Sequence, residues 1–72
     1  MSTFAERLRT LRLSEGLTQQ RLADRLSIKR SALAMYECGK RFPRFSAVER
    51  IADYFSVSID FLLRGDRNVR TD

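Results

Sequence analysis

The chain contains no histidine and no tryptophan, and Cys38 is its only cysteine. A single cysteine cannot form an internal disulfide, and without histidine or a second cysteine the usual zinc sites are excluded. Histidine is also the commonest general base and a member of the usual serine and cysteine triads. We therefore expect a protein that is not an enzyme and that needs no metal ion.

Long apolar segments are missing as well. No apolar run approaches the roughly 20 residues that span a bilayer. Residues 1–7 also lack the apolar core of a secretion signal. These absences predict a cytoplasmic protein with no membrane partner.

Apolar residues make up 43% of the chain, which is enough for one small core. The 72 residues are expected to form a single domain, and a domain of that size is too small to enclose a deep substrate cavity. Fourteen Lys and Arg residues against nine Asp and Glu residues give a net charge of +5. This charge favours a polyanionic partner, although solubility alone would also explain it.

Proline and glycine are scarce, and the apolar residues recur at helical spacing, with no convincing strand. Thr3 and Glu6 have the spacing of a capping box at the start of a first helix. Thr18 is suited to cap a second helix, and Ser58 to cap a fifth. The pattern therefore predicts an all-α domain of five helices.

The fourth and fifth helices are each expected to bury an apolar stripe. The stripe of the fourth helix comprises Phe45, Val48, Ile51, Ala52 and Phe55. Ser46 and Glu49 offer a second capping box, which would start this helix two residues later. The fifth helix is expected to carry Ile59, Leu62 and Leu63 inward.

The second and third helices are short and joined by a tight turn, which is the layout of a helix-turn-helix. On the third helix, residues 29–37, Leu33 and Tyr36 are spaced to face the core. The opposite face is basic at its start and partly apolar, and comprises Arg30, Ser31, Ala34, Met35 and Cys38. Such a face suits a DNA major groove, where guanine accepts hydrogen bonds and thymine offers a methyl group. The spacing alone also fits an ordinary helical hairpin in a bundle.

Several motifs together make the sequence similar to a known family. They are Leu17-Thr18-Gln19, Ala23, Glu37-x-Gly39 and Val57-Ser58-Ile59-Asp60. With them, residues 4–65 resemble the phage-repressor and Cro-like helix-turn-helix family of the Xre type. The resemblance implies a compact, lambda-repressor-like domain without a cofactor. It also implies a homodimer that binds a two-fold symmetric operator in double-stranded DNA, usually to repress transcription.

Candidate site residues fall into four groups. The base-reading candidates are Lys29, Arg30, Ser31, Ala34 and Met35. The phosphate-contact candidates are Gln19, by resemblance and because helix N-termini attract phosphate, and three bases of the loop after the third helix, namely Lys40, Arg41 and Arg44. The resemblance also implies that Arg12 and Glu37 pair across the core. It places Ile59 and Leu62 near a dimer interface, to which we add Phe61.

Two positions depart from the family pattern. The turn carries Ser27 where the family usually has glycine, and a non-glycine residue at positive φ costs about 1 kcal/mol. Lys29 stands where the third helix usually has a Ser, Thr or Asn cap, and lysine cannot accept the free N–H groups. These departures affect the start of the third helix and leave the predicted fold unchanged.

A second hypothesis is a protein-interaction module, such as an antitoxin or an adaptor built on the same fold. An antitoxin usually needs a segment dedicated to its toxin, and only a polar tail, residues 66–72, follows the predicted domain of residues 1–65. An enzyme is less favoured, because Asp24, Glu49 and Asp53 have spacings that are ordinary for exposed helix faces. We therefore favour a sequence-specific transcriptional regulator, and specifically a repressor.

Overall fold

A computed structural model describes residues 3–65, and this part of the chain contains five α-helices and no β-strand. The helices are α1 (Phe4–Ser14), α2 (Gln19–Leu26), α3 (Arg30–Glu37), α4 (Phe45–Phe55) and α5 (Ile59–Arg64). The predicted all-α class and helix number are confirmed. No helix in this part is long and apolar enough to cross a membrane. The predicted tail of residues 66–72 lies outside the described residues.

Side chains cap three of the helices as the sequence predicts. The Thr3 hydroxyl accepts a hydrogen bond from the Glu6 N–H at 3.2 Å, and the Glu6 carboxylate accepts one from the Thr3 N–H at 2.9 Å. Thr18 and Ser58 accept from backbone N–H groups in the first turns of α2 and α5. Because each cap satisfies a group that the helix leaves without a partner, helix boundaries follow from these residues.

The core receives one completely buried leucine or isoleucine from each helix. These residues are Leu8, Leu22, Leu33, Ile51 and Leu62. Burial of such a side chain contributes about 1.5–3 kcal/mol. Ala23 on α2 is also completely buried, and its small side chain suits the close packing of α2 against α3. All five helices therefore hold the same core together.

The structure corrects two expectations about α4. The helix begins at Phe45 with Arg44 as its cap residue, so the alternative start at a Ser46–Glu49 capping box is wrong. Phe45 belongs to the predicted inward stripe but is 60% exposed. It is the first residue of α4, and the core covers this helix only from Val48 onward.

The structure also corrects the orientation of α5. Leu62 was predicted to lie near a dimer interface. It is completely buried within the domain, so it is not available to a dimer partner. Leu63, predicted to point inward, is 40% exposed. Adjacent helical residues project about 100° apart, so α5 cannot direct both leucines into the core.

A buried arginine fastens α5 to α1. Arg7 is 6% exposed, and its Nε and Nη2 atoms donate to the Leu62 carbonyl oxygen at 2.9 and 2.6 Å. The chain then turns at Gly65, which has a φ of 74°. A Cβ atom at this position would lie 2.6 Å from Nη1 of Arg7. No motif in the sequence indicates this role for Arg7.

This arrangement predicts unequal effects of alanine at two glycines. Gly16→Ala should lower the free energy of unfolding by about 1 kcal/mol, because the position has a positive φ but open space around it. Gly65→Ala should cost about 2–3 kcal/mol, since the new methyl group also displaces the Arg7 guanidinium from its carbonyl. Urea unfolding of both variants measures the difference. Equal losses would show that Arg7 moves aside freely.

Candidate nucleic-acid interface

The turn between α2 and α3 has the geometry expected of a helix-turn-helix. Ser27 ends α2 in the left-handed conformation, with φ 58° and ψ 43°. The next N–H, of Ile28, donates to the Ala23 carbonyl at 2.9 Å and closes the turn. Ile28 then packs against the core. Serine therefore adopts the positive φ that the family usually assigns to glycine.

The outward face of α3 is the side predicted to contact bases. Leu33 is completely buried and Tyr36 packs against the core, so these two residues fix the orientation of α3. The residues opposite them are exposed except for the half-buried Ala34. The exposed ones are Arg30, Ser31, Met35 and Cys38.

A groove lies along this face, and we call it the basic groove. It brings together all five base-reading candidates with two of the phosphate-contact candidates. Its lining includes Lys29, Arg30, Ser31, Ala34, Met35, Cys38, Lys40 and Arg41. Arg44 lies outside the basic groove, at the start of α4.

Positive charge dominates this side of the domain. The five bases of residues 29–44 are all exposed, and none forms an ion pair with another described residue. The one acid of this segment, Glu37, is neutralised by Arg12. Because none of these bases is paired with a carboxylate of the described residues, the surface attracts anions.

The start of α3 adds to this field. Lys29 occupies the cap position with extended backbone, and its side chain makes no capping hydrogen bond. The first N–H groups of a helix have no partner within the helix, and the helix dipole places partial positive charge there. This end of α3 is therefore suited to an anion.

The Arg12–Glu37 pair predicted by resemblance is present and buried. Arg12 Nε donates to Glu37 Oε2 at 2.7 Å, and Arg12 Nη2 donates to Oε1 at 3.0 Å. The two side chains are 9% and 3% exposed. Arg12 Nη1 also donates to the Leu17 carbonyl at 2.8 Å. The pair thus joins α1, the α1–α2 loop and the last residue of α3.

Gln19 belongs to the same network, which the sequence analysis did not detect. Its Nε2 donates to Glu37 Oε1 at 3.1 Å, and the side chain is half-buried. A primary amide has two N–H groups, so a second one remains beside the one that donates to Glu37. Gln19 lies in a second depression, the polar cleft, which is lined by Arg9, Arg12, Gln19, Ala34, Glu37 and Cys38. Ala34 and Cys38 line both depressions, so the polar cleft adjoins the basic groove.

Three further contacts, which no motif in the sequence indicates, hold α2 and the loop after α3 in place. Arg50 of α4 donates to the Leu26 carbonyl at the end of α2, at 3.0 Å. Arg25 donates to the Tyr54 hydroxyl at 2.8 Å. The ring of Phe42 is exposed, and its centroid lies 4.8 Å from the centroid of the Phe4 ring. No local sequence motif announces such long-range contacts.

The candidate dimer residues on α5 differ in how much surface they offer. Ile59 and Phe61 are half-buried and pack against the core, and Leu62 is completely buried. Leu63, which was not a candidate, is the exposed apolar residue of this helix.

The buried pair yields a prediction about stability. Glu37→Ala should lower the free energy of unfolding by about 3–5 kcal/mol, because it leaves Arg12 buried without its carboxylate. Asp60→Ala is the matched control. It breaks an ion pair whose side chains are both 70% exposed, so it should cost only about 0–1 kcal/mol. Urea unfolding measures both, and a Glu37→Ala loss no larger than the control's would contradict the structural role of the pair.

Comparison with known proteins gives the chain's relatives. Residues 3–65 match the helix-turn-helix domain family. The chain is 41% identical over 63 residues to the HTH-type transcriptional activator BcrR of Enterococcus faecalis, covering 88% of this chain and 31% of BcrR. It is 42% identical over 65 residues to the HTH-type transcriptional regulator YqaE of Bacillus subtilis (strain 168), covering 90% of this chain and 56% of YqaE. The chain thus spans less than two thirds of either relative.

A solved structure shows the same fold. The P22 c2 repressor, crystallised with a synthetic operator, matches with a TM-score of 0.87 at 23% identity, covering 92% of this chain and 100% of that one. This likeness confirms the predicted lambda-repressor-like fold. Three observations indicate the same kind of domain. They are the five helices, the left-handed turn at Ser27 and the family match over residues 3–65. The chain belongs to the helix-turn-helix domain family.

Proposed function

We propose that the chain is a sequence-specific DNA-binding domain of a transcriptional regulator, and that it inserts α3 into the major groove. The observation that carries this proposal is the basic groove itself, where an exposed helix face is bordered by bases that have no ion-pair partner among residues 3–65. A major groove admits an α-helix, and its phosphate rims supply the anions that such bases need. The names of BcrR and YqaE, both transcriptional regulators, support the proposal.

Affinity and specificity come from two different kinds of contact. Lys40, Arg41 and Arg44 contact phosphates, and Gln19 does so through its second amide N–H. Such contacts supply affinity and orientation but carry little sequence information. The residues on and just before α3 supply specificity, and they are Lys29, Arg30, Ser31, Ala34 and Met35.

Among the base-reading residues, Arg30 is suited to guanine. Its planar fork donates to O6 and N7 together, and its side chain has no hydrogen-bond partner within residues 3–65 that would hold it elsewhere. Ala34 and Met35 cannot donate, so they contact thymine methyl groups or exclude a wrong base.

The direction of regulation depends on where the operator lies. A domain bound over a promoter blocks access of the polymerase, so we propose repression as the effect. We propose that the mechanism is binding, with no catalysis. The relative BcrR is named an activator. A reporter gene downstream of the bound site measures the sign directly.

The function itself is tested by selection from a pool of random duplex DNA. We expect enrichment of one motif with two-fold symmetry, with half-sites about one helical turn apart, roughly 34–36 Å. Failure to enrich any motif, together with recovery of a stoichiometric protein partner from the source cells, would favour the interaction-module alternative.

Specificity and affinity should respond to different substitutions. Arg30→Ala should cost about 1–3 kcal/mol on the selected operator and relax preference at one base pair in each half-site. Lys40→Ala or Arg41→Ala should instead weaken operator and random DNA alike. Binding curves on both DNAs at several salt concentrations separate the two effects. If Arg30→Ala lowered both affinities equally, Arg30 would be another phosphate contact and not a base reader.

We further propose that two copies pair on DNA through α5, where Leu63 replaces the buried Leu62 beside Ile59 and Phe61. Leu63→Glu should weaken cooperative binding to the two-fold site while leaving the thermal midpoint near that of the parent, because the side chain is exposed. Leu13→Glu, at an exposed leucine of α1, is the matched control. Binding of both variants to half-site and full-site DNA is compared. An unchanged full-site cooperativity in Leu63→Glu would reject this interface.

A further inference from the structure

Arg9 lines the polar cleft but takes no part in the Arg12–Glu37 network. It lies one turn before Arg12 on α1, and its side chain is exposed. Within residues 3–65, no side chain or backbone group forms a hydrogen bond or an ion pair with its guanidinium. Arg9 is therefore an available cation beside Gln19.

The only acid of the polar cleft cannot neutralise Arg9. Both carboxylate oxygens of Glu37 accept hydrogen bonds from Arg12, and Oε1 also accepts one from Gln19. Glu37 is thus already paired with Arg12, and its side chain is buried. The charge of Arg9 adds to that of the basic groove, which shares Ala34 and Cys38 with the cleft.

We infer that Arg9 binds a phosphate of the DNA backbone at the polar cleft, next to the phosphate contact of Gln19. The inference rests on the proposed function and extends the DNA-binding surface from α2 and α3 onto α1. A guanidinium donates two parallel N–H groups to phosphate oxygens. Gln19 lines the same cleft and has a second amide N–H besides the one that donates to Glu37. The cleft thus offers donors from two helices to one stretch of the backbone.

The test compares Arg9→Gln with Arg21→Gln, using a short random-sequence DNA duplex. Arg21 is an exposed arginine on α2 that lines neither depression, so it controls for loss of one positive charge. Loss of a phosphate contact should lower the slope of log affinity against log salt by about 0.9 for each bound subunit. We expect this change for Arg9→Gln and a smaller one for Arg21→Gln, with thermal midpoints near that of the parent for both.

Two results would overturn the assignment of Arg9 alone. One is a salt slope for Arg9→Gln equal to that of Arg21→Gln while the parent chain binds normally. The other is weaker binding with an unchanged slope, which would mark an indirect effect on structure. If the parent chain showed no salt-dependent binding to any duplex, the proposed function would fail together with the assignment.

On the selected operator, neutral methylphosphonates placed at single positions give a second readout. One position should weaken binding of the parent chain but not of Arg9→Gln, because the variant has already lost that contact. Absence of any such position would also overturn the assignment.

Discussion

The buried ion pair between Arg12 and Glu37 joins the elements that carry the proposed DNA-binding surface. Arg12 comes from α1, Glu37 is the last residue of α3, and Gln19 brings in the first residue of α2. Burying two charges is costly, and the pair withstands that cost because both carboxylate oxygens and the guanidinium find partners. The orientation of α3 relative to α2 therefore depends on a polar network as well as on apolar packing.

This network also affects the charge on one side of the molecule. Glu37 would otherwise place a carboxylate among the bases of residues 29–44, but its pairing with Arg12 removes that charge from the surface. The same contacts hold Gln19 half-buried at the rim of the polar cleft. One buried pair thus stabilises the fold and keeps the outer surface positive.

Much of this fold is predictable from the sequence because local chemistry determines it. The caps at Thr3, Thr18 and Ser58 depend on residues three positions away. The side of α3 that packs against the core follows from the spacing of Leu33 and Tyr36. The roles assigned to its outward side chains stay predictions, since the fold gives their positions and not their ligand.

The sequence was less informative where several arrangements satisfy the same pattern. Helix α5 has only six residues, fewer than two turns, so periodicity could not decide between Leu62 and Leu63. The bond from Gln19 to Glu37 and that from Arg7 to the Leu62 carbonyl join residues distant in sequence. Such contacts leave no local pattern, and they become visible only when the helices are packed.

The outward face of α3 has a consequence for how such a domain evolves. The side chains of Arg30, Ser31 and Met35 make no hydrogen bond within residues 3–65 and contribute nothing to the core. Exposed positions of this kind usually change stability by less than about 0.5 kcal/mol when substituted. Mutations can therefore accumulate there without loss of the folded state, so that lineages sharing this scaffold can diverge in the DNA they select while their interiors stay alike.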